Sequence, residues 1–135
     1  DLNTARTSLG GCGATNTAAL AFSGSVSPNA QTESWNGTSW TEVNDLNSGR
    51  NAIGSAGIST SALATGGPSE SALTETWNGS SWTETADLNT GRSNLEGGGT
   101  TSSAVMAGGN APGISAASEE FTGAGATVIR TITDS

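Results

Sequence analysis

Apolar positions along this chain come in short bursts. Runs at Ala18 to Phe22, Ala62 to Thr65 and Ala104 to Ala107 each lead into glycine, and each follows a segment of small residues: Leu9 to Ala14, Ile53 to Ile58 and Leu95 to Gly99. Further on, apolar and polar positions alternate over Gln31 to Trp35 and Trp40 to Val43, and again over Leu73 to Trp77 and Trp82 to Thr85. Alternation over so few residues predicts strands, and no segment sustains a helical apolar period. Asn36-Gly37 and Asn78-Gly79 separate the alternating segments. That dipeptide predicts a tight hairpin of type I′, in which both central residues need positive φ. The pattern therefore predicts four short antiparallel strands in sequence, and it occurs more than once.

The recurrence is nearly verbatim. Asp1-Leu2-Asn3-Thr4-Ala5-Arg6 returns as Asp45-Leu46-Asn47-Ser48-Gly49-Arg50 and as Asp87-Leu88-Asn89-Thr90-Gly91-Arg92, at offsets of 44 and 42 residues. Glu33-Ser34-Trp35-Asn36-Gly37-Thr38-Ser39-Trp40-Thr41-Glu42 likewise returns as Glu75-Thr76-Trp77-Asn78-Gly79-Ser80-Ser81-Trp82-Thr83-Glu84. Self-similarity at this period marks one supersecondary unit used repeatedly. It divides the chain into units 1–44, 45–86 and 87–135. The third is the most diverged: Phe121 stands where Trp35 and Trp77 do, and a β-branched stretch, Thr127 to Thr133, is expected to supply its last strand. The phrase is already under way at Asp1, so the chain is expected to be a processed product or part of something longer.

Composition changes the picture of the core. Leu, Ile, Val and Phe number 19 of 135 residues, below the roughly 20% at which a chain begins to look disordered. Net charge is only −8 and 12% of residues are charged, so the second condition for disorder fails. A fold built from these residues packs small side chains between closely stacked sheets, with four Trp as its large apolar pieces. The acidic surface argues against nucleic acid and anionic lipid as partners, and no apolar run is long enough to span a membrane as a helix. Cys12, the one cysteine, is expected to be a small buried residue of the strand after Arg6.

The candidate chemistry is sparse. Without His there is no Ser-His-Asp or Cys-His arrangement and no imidazole ligand; without Lys there is no Schiff base. Gly97-Gly98-Gly99 precedes neither a lysine nor a helix and is no phosphate loop. Paired carboxylates remain (Glu33 with Glu42, Glu75 with Glu84, Glu119-Glu120), yet three of them recur at the repeat spacing, as structural residues do. The Asp-Leu-Asn turns offer two oxygen-bearing side chains each, against the roughly six to eight oxygens of a calcium site, and are expected to be turn formers. Asn36-Gly37-Thr38 and Asn78-Gly79-Ser80 match the glycosylation triplet but are accounted for by the hairpin. No enzyme activity, metal or cofactor is expected.

Gly66-Gly67, then Glu75-Thr76-Trp77, then Trp82, then Asp87-Leu88-Asn89 with Arg92, then a small-residue strand ending at Gly108-Gly109, resembles the kelch repeat. The resemblance covers essentially the whole chain. It departs where Trp35 and Trp77 stand for the usual Tyr and where Ser23-Gly24 replaces a double glycine. More narrowly, the phrase from Trp35 to Asn47 is similar to kelch-like repeats in structural proteins of tailed phages, marine ones especially. The implied fold is all-β: a kelch-type β-propeller of three four-stranded blades, with the strand after each Arg innermost. Propellers close with about four to eight blades, so three would form part of a ring completed by other blades or by oligomerisation. A β-trefoil, also three repeats of four strands, is the alternative; its reliance on large apolar side chains at a threefold axis fits the Gly- and Ala-rich segments poorly.

In such a blade the Asp-Leu-Asn turns and the loops between second and third strands share one face. Those loops, Ser23 to Ala30, Pro68 to Ala72 and Asn110 to Ala117, are the segments that vary between repeats, and variable loops on a repeated scaffold are where recognition is expected. Candidate ligand-binding residues on that face are Arg6, Asn29, Arg50, Ser69, Glu70, Arg92 and Asn110, although the arginines are also expected to pair with carboxylates or carbonyls between blades. The implied function is a non-enzymatic virion structural or recognition protein, such as a tail fibre, tail tip or capsid decoration. Its expected location is the virion or the extracellular space, and its expected partners are other blades, virion subunits or its own copies, and a host surface glycan. A glycan-acting enzyme using carboxylates and a stand-alone trefoil lectin are the alternatives.

Overall fold

Within each repeat, neighbouring segments pair with one another, and the hairpins follow from local chemistry. Asn36 Oδ1 accepts the backbone N–H groups of Thr38 (2.9 Å) and Ser39 (3.0 Å), and Asn78 Oδ1 those of Ser80 and Ser81 (both 2.9 Å). The turn differs from the one expected. Trp35 pairs with Trp40 and Trp77 with Trp82, which leaves four-residue loops in which the glycine alone takes positive φ (92° at Gly37, 94° at Gly79). The Asn side chain, by capping two loop N–H groups, does what the second positive φ of a type I′ turn would have done.

The structure, a computed structural model, describes residues 1–122: eleven strands, no helix, and three antiparallel sheets. Sheet 1 is β1 (Gly10–Thr15), β2 (Ala18–Phe22), β3 (Thr32–Trp35) and β4 (Trp40–Val43); sheet 2 is β5 (Gly54–Ile58), β6 (Ser61–Thr65), β7 (Thr74–Trp77) and β8 (Trp82–Glu84). Sheet 3 holds β9 (Glu96–Thr100), β10 (Ser103–Ala107) and β11 (Ser118–Phe121). Each sheet is a meander of adjacent strands drawn from one repeat. The expected last strand at Thr127 to Thr133 lies outside the described residues.

The sheets stack in chain order, with β5 packed between β1 and β9. Small residues make that approach possible. A Cβ on Gly97 would strike the carbonyl oxygen of Ser55 in the neighbouring sheet and the Met106 sulfur, whereas one on Gly98 would meet nothing within 4 Å. Gly97→Val should therefore destabilise the protein by about 1–3 kcal/mol through overpacking, and Gly98→Ala should stay within about 0.5 kcal/mol of the parent. Urea titration of the pair checks this; equal effects would mean that the inner strands are not in close contact.

Backbone hydrogen bonds also pass from repeat to repeat. Ala52 N–H donates to the Ser8 carbonyl (2.9 Å) and Asn94 N–H to the Ala52 carbonyl (2.7 Å). Ser8, Ala52 and Asn94 share a left-handed conformation, with φ of 55°, 52° and 53°. Three non-glycine residues holding this conformation at equivalent positions show that the surrounding structure imposes it.

Apolar side chains fill the two spaces between sheets. Leu20 and Phe22 of sheet 1 meet Ala62, Ala64, Trp77 and Trp82 of sheet 2, with Leu46 and Ile53 alongside. Leu63 and Ala56 of sheet 2 meet Ala104, Met106 and Phe121 of sheet 3, with Leu88 and Leu95. Trp77 and Trp82 are the largest pieces of the first: the Trp82 ring stands edge-on to Phe22 (centroids 4.8 Å, 61°) and its Nε1–H donates to Thr32 Oγ1 at 3.0 Å. Cys12 is half-buried against the same cluster.

Candidate functional site

The repeated phrase Asp-Leu-Asn…Arg builds a clamp at the start of each repeat. Asn3, Asn47 and Asn89 each donate a backbone N–H at 2.8 Å to Oε2 of Glu33, Glu75 and Glu119 respectively. Oε1 of the same carboxylates faces Arg6 (3.1 Å), Arg50 (2.6 Å) and Arg92 (2.9 Å), with both partners of every pair almost fully buried. The clamps are not equally complete. Arg50 also donates from Nε to Gly66 O (2.9 Å), from Nη1 to Ser48 O (2.8 Å) and from Nη2 to Ala64 O (3.2 Å). Among the described residues the Nε atoms of Arg6 and Arg92 find no acceptor, and the Arg6–Glu33 contact is an ion pair without hydrogen-bond geometry.

The Asp of the phrase reaches the other way. Asp45 Oδ1 accepts from Thr32 N–H (3.2 Å) in sheet 1, and Asp87 Oδ1 from Thr74 N–H (3.1 Å) in sheet 2. The second and third phrases thus each hold the sheet before them through Asp and the sheet after them through Asn and Arg. The expected pairing of the arginines between repeats is corrected here: each guanidinium meets the glutamate of its own sheet, because the phrase precedes that sheet's first strand and runs back across its third.

The variable loops are bonded to these phrases. Arg50 N–H donates to Asn29 O (3.1 Å) and Leu46 N–H to Ala30 O (3.0 Å); Arg92 N–H donates to Ser71 O (3.1 Å) and Leu88 N–H to Ala72 O (3.0 Å). Between the second and third loops lies a pocket of about 390 Å³ lined by Ser69, Glu70, Ser93, Asn110, Pro112 and Gly113. Ser69 and Glu70 are consecutive residues at φ 56°, a conformation that costs about 1–3 kcal/mol per non-glycine residue and persists only where neighbours enforce it. Gly91 lies directly against the Glu70 carbonyl, with no room for a Cβ, so the clamp phrase itself shapes the pocket wall.

Ser69, Glu70 and Asn110, named from the sequence, thus come together in one pocket. Asn29 is exposed on the first loop, against the Asp45–Arg50 phrase and away from that pocket. Arg6, Arg50 and Arg92 are turned inward, each engaged by a carboxylate, and do not line the pocket. Sequence reasoning missed Ser93; its one signal was its place directly after the recurring arginine. The lining offers hydroxyl, carboxamide and carbonyl groups with one carboxylate, which suits hydrogen bonding to a polyhydroxylated or amide-bearing ligand.

Other reactive groups are few. Burial pushes the Cys12 thiol up to about 11, so it is not a thiolate at neutral pH and is a poor nucleophile. The folded protein resists its ionisation, so any stability tied to the thiol is intact below its ordinary range and is lost as pH rises from about 9 towards 11. Among the described residues no three His, Cys, Asp or Glu side chains gather where a metal ion could sit.

No protein-family model matches this sequence. No curated protein matches it either. Among solved structures, one titled "Structure of YjhT" is similar over 98% of this chain with a TM-score of 0.79 at 13% identity. At that identity the likeness speaks for the fold alone. The chain spans about half the length of that protein, 47% of it, and what the two share is an all-β arrangement of antiparallel sheets.

Proposed function

We propose that this chain forms three blades of a kelch-type β-propeller whose ring is completed by other blades or by further copies of the chain, acting as a non-enzymatic recognition protein of a virion or another extracellular assembly. The observation that carries the recognition reading is the meeting of two variable loops over one polar pocket, Ser69 and Glu70 on one side and Asn110, Pro112 and Gly113 on the other. Separate meander sheets, each from one repeat and stacked through glycine-rich first strands, support the propeller over the trefoil. A trefoil joins its repeats by strand pairing into one barrel. The virion assignment rests on the resemblance of the repeated phrase to phage structural proteins.

The ligand class that fits best is a neutral or amide-bearing sugar of a host surface. Glu70 is the pocket's single carboxylate, whereas glycoside hydrolysis uses a pair about 5–10 Å apart, which favours binding over turnover. Titration calorimetry against neutral and N-acetylated oligosaccharides tests the reading. Glu70→Gln and Asn110→Ala should each weaken binding by about tenfold, as expected for loss of one good hydrogen bond. Binding unchanged in both variants would place recognition elsewhere, and release of reducing sugar would replace it with the enzymatic reading.

A further inference from the structure

The two ends of the sheet stack are unlike each other, and each matches the inside of the other. In antiparallel ladders directly opposed residues share a face, so Ala62, Ala64, Trp77 and Trp82 form the face of sheet 2 that sheet 1 covers. All four are at most 5% exposed. The same face of sheet 1 carries Ala19, Ala21, Trp35 and Trp40 in the same register. There both indoles are only partly buried, and among the described residues no acceptor meets Trp40 Nε1, although its counterpart in Trp82 bonds Thr32.

At the far end the mismatch is reversed. β6, between two sheets, is buried on both sides, whereas β10 alternates strictly between exposed and buried. Its exposed side, with Val105 at 41%, corresponds to the Leu20 and Phe22 side of sheet 1. Ser118 stands there at the position of Thr32, opposite Ala107, and carries the hydroxyl a Trp40 Nε1–H would need. Glu96 on β9 and Glu120 on β11 lie on the same face. The backbone relay is open in the complementary sense. Among the described residues nothing accepts the Ser8 N–H and nothing donates to the Asn94 carbonyl, the two groups that would continue the series Ser8, Ala52, Asn94.

Resting on the ring reading above, we propose that two copies of this chain close on each other head to tail, the Trp35 and Trp40 face of each receiving the Val105 and Ser118 face of the other. A twofold axis makes both seams identical, and six sheets would result, matching the observation that one chain spans 47% of a structural neighbour. At each seam Trp40 would stand over the second copy's sheet 3 as Trp82 stands over sheet 1, and Ser8 N–H would donate to Asn94 O.

Light scattering on the 135-residue chain, with its covalent mass confirmed, should give a particle of twice 13.2 kDa. Trp40→Ala and Val105→Glu should each weaken association at least a hundredfold, with circular dichroism confirming that each still folds, while Ile114→Ser, at a fully exposed loop position, should leave it unchanged. Mixing the two weakened variants is the decisive arm. The mixed pair has one seam carrying both changes and one seam of parent sequence, so association should partly return. A monomeric parent, a dimer indifferent to Val105→Glu, or a mixture no tighter than either variant alone would each overturn the proposal. A monomer that still binds sugar leaves the recognition reading standing and overturns closure alone.

Discussion

Glu75→Ala should be among the most damaging single substitutions in the chain, lowering stability by about 3–5 kcal/mol because it leaves the Arg50 guanidinium buried without its counter-charge. The carboxylate is 2% exposed and accepts from Arg50, from the backbone N–H groups of Asn47 and Ser48, and from the Asn47 side chain. Loss on this scale is a large share of the roughly 5–15 kcal/mol that holds a domain together. Urea unfolding checks it, with an unchanged slope expected if the unfolded state is unaffected. Glu75→Leu combined with Arg50→Met should recover much of the loss, since no charge is then stranded, but not all of it: Asn47 and Ser48 still lose their acceptor. Arg50→Lys should not substitute, because one ammonium cannot reach Gly66 O, Ser48 O, Ala64 O and Glu75 together. A cost for Glu75→Ala below about 1 kcal/mol would mean that water reaches the pair.

Trp82→Ala should cost a similar amount, about 3–5 kcal/mol, by a different route. It removes the ring between Phe22 and Trp77, from which it stands 4.8 Å and 5.5 Å between centroids, and opens a cavity between sheets 1 and 2. It also takes away the donor that Thr32 Oγ1 uses. Trp82→Phe keeps most of the packing and should cost distinctly less, with a remainder of about 1 kcal/mol from the missing hydrogen bond. Thermal unfolding of the two variants separates the contributions. If Phe proved as damaging as Ala, the hydrogen bond would outweigh the packing.

The strands were legible because their signals are local. Ala18–Phe22 and Trp40–Val43 have the bounds read from the sequence, β1 and β9 lie one residue further along the chain than read, β11 had no bounds read for it, and the other described strands differ by one residue at one end. The Asn-Gly hairpins were legible as hairpins but not in turn type, since the side-chain capping by Asn36 and Asn78 looks the same in sequence as a positive backbone φ. The clamp was half visible. Arg50 and Glu75 both recur, but they are 25 residues apart, and no short-range pattern shows that one folds onto the other. Clustering of Ser69, Glu70 and Asn110 could be expected from loop variability, yet the left-handed backbone at Ser69 and Glu70 had no signal, because neither is glycine.

The clamp also bears on how the chain acquires its structure. Each Arg–Glu contact closes a stretch of 25 or 27 residues inside a single repeat, and the Trp82–Thr32 bond between repeats spans 50. Ordering is therefore short-range for an all-β protein, where distant strand pairing usually slows folding. One repeat can form first and serve as a template for the next, in the manner of a one-dimensional array. Pulled by its ends in a force spectrometer, such a chain should lengthen in steps of about one repeat.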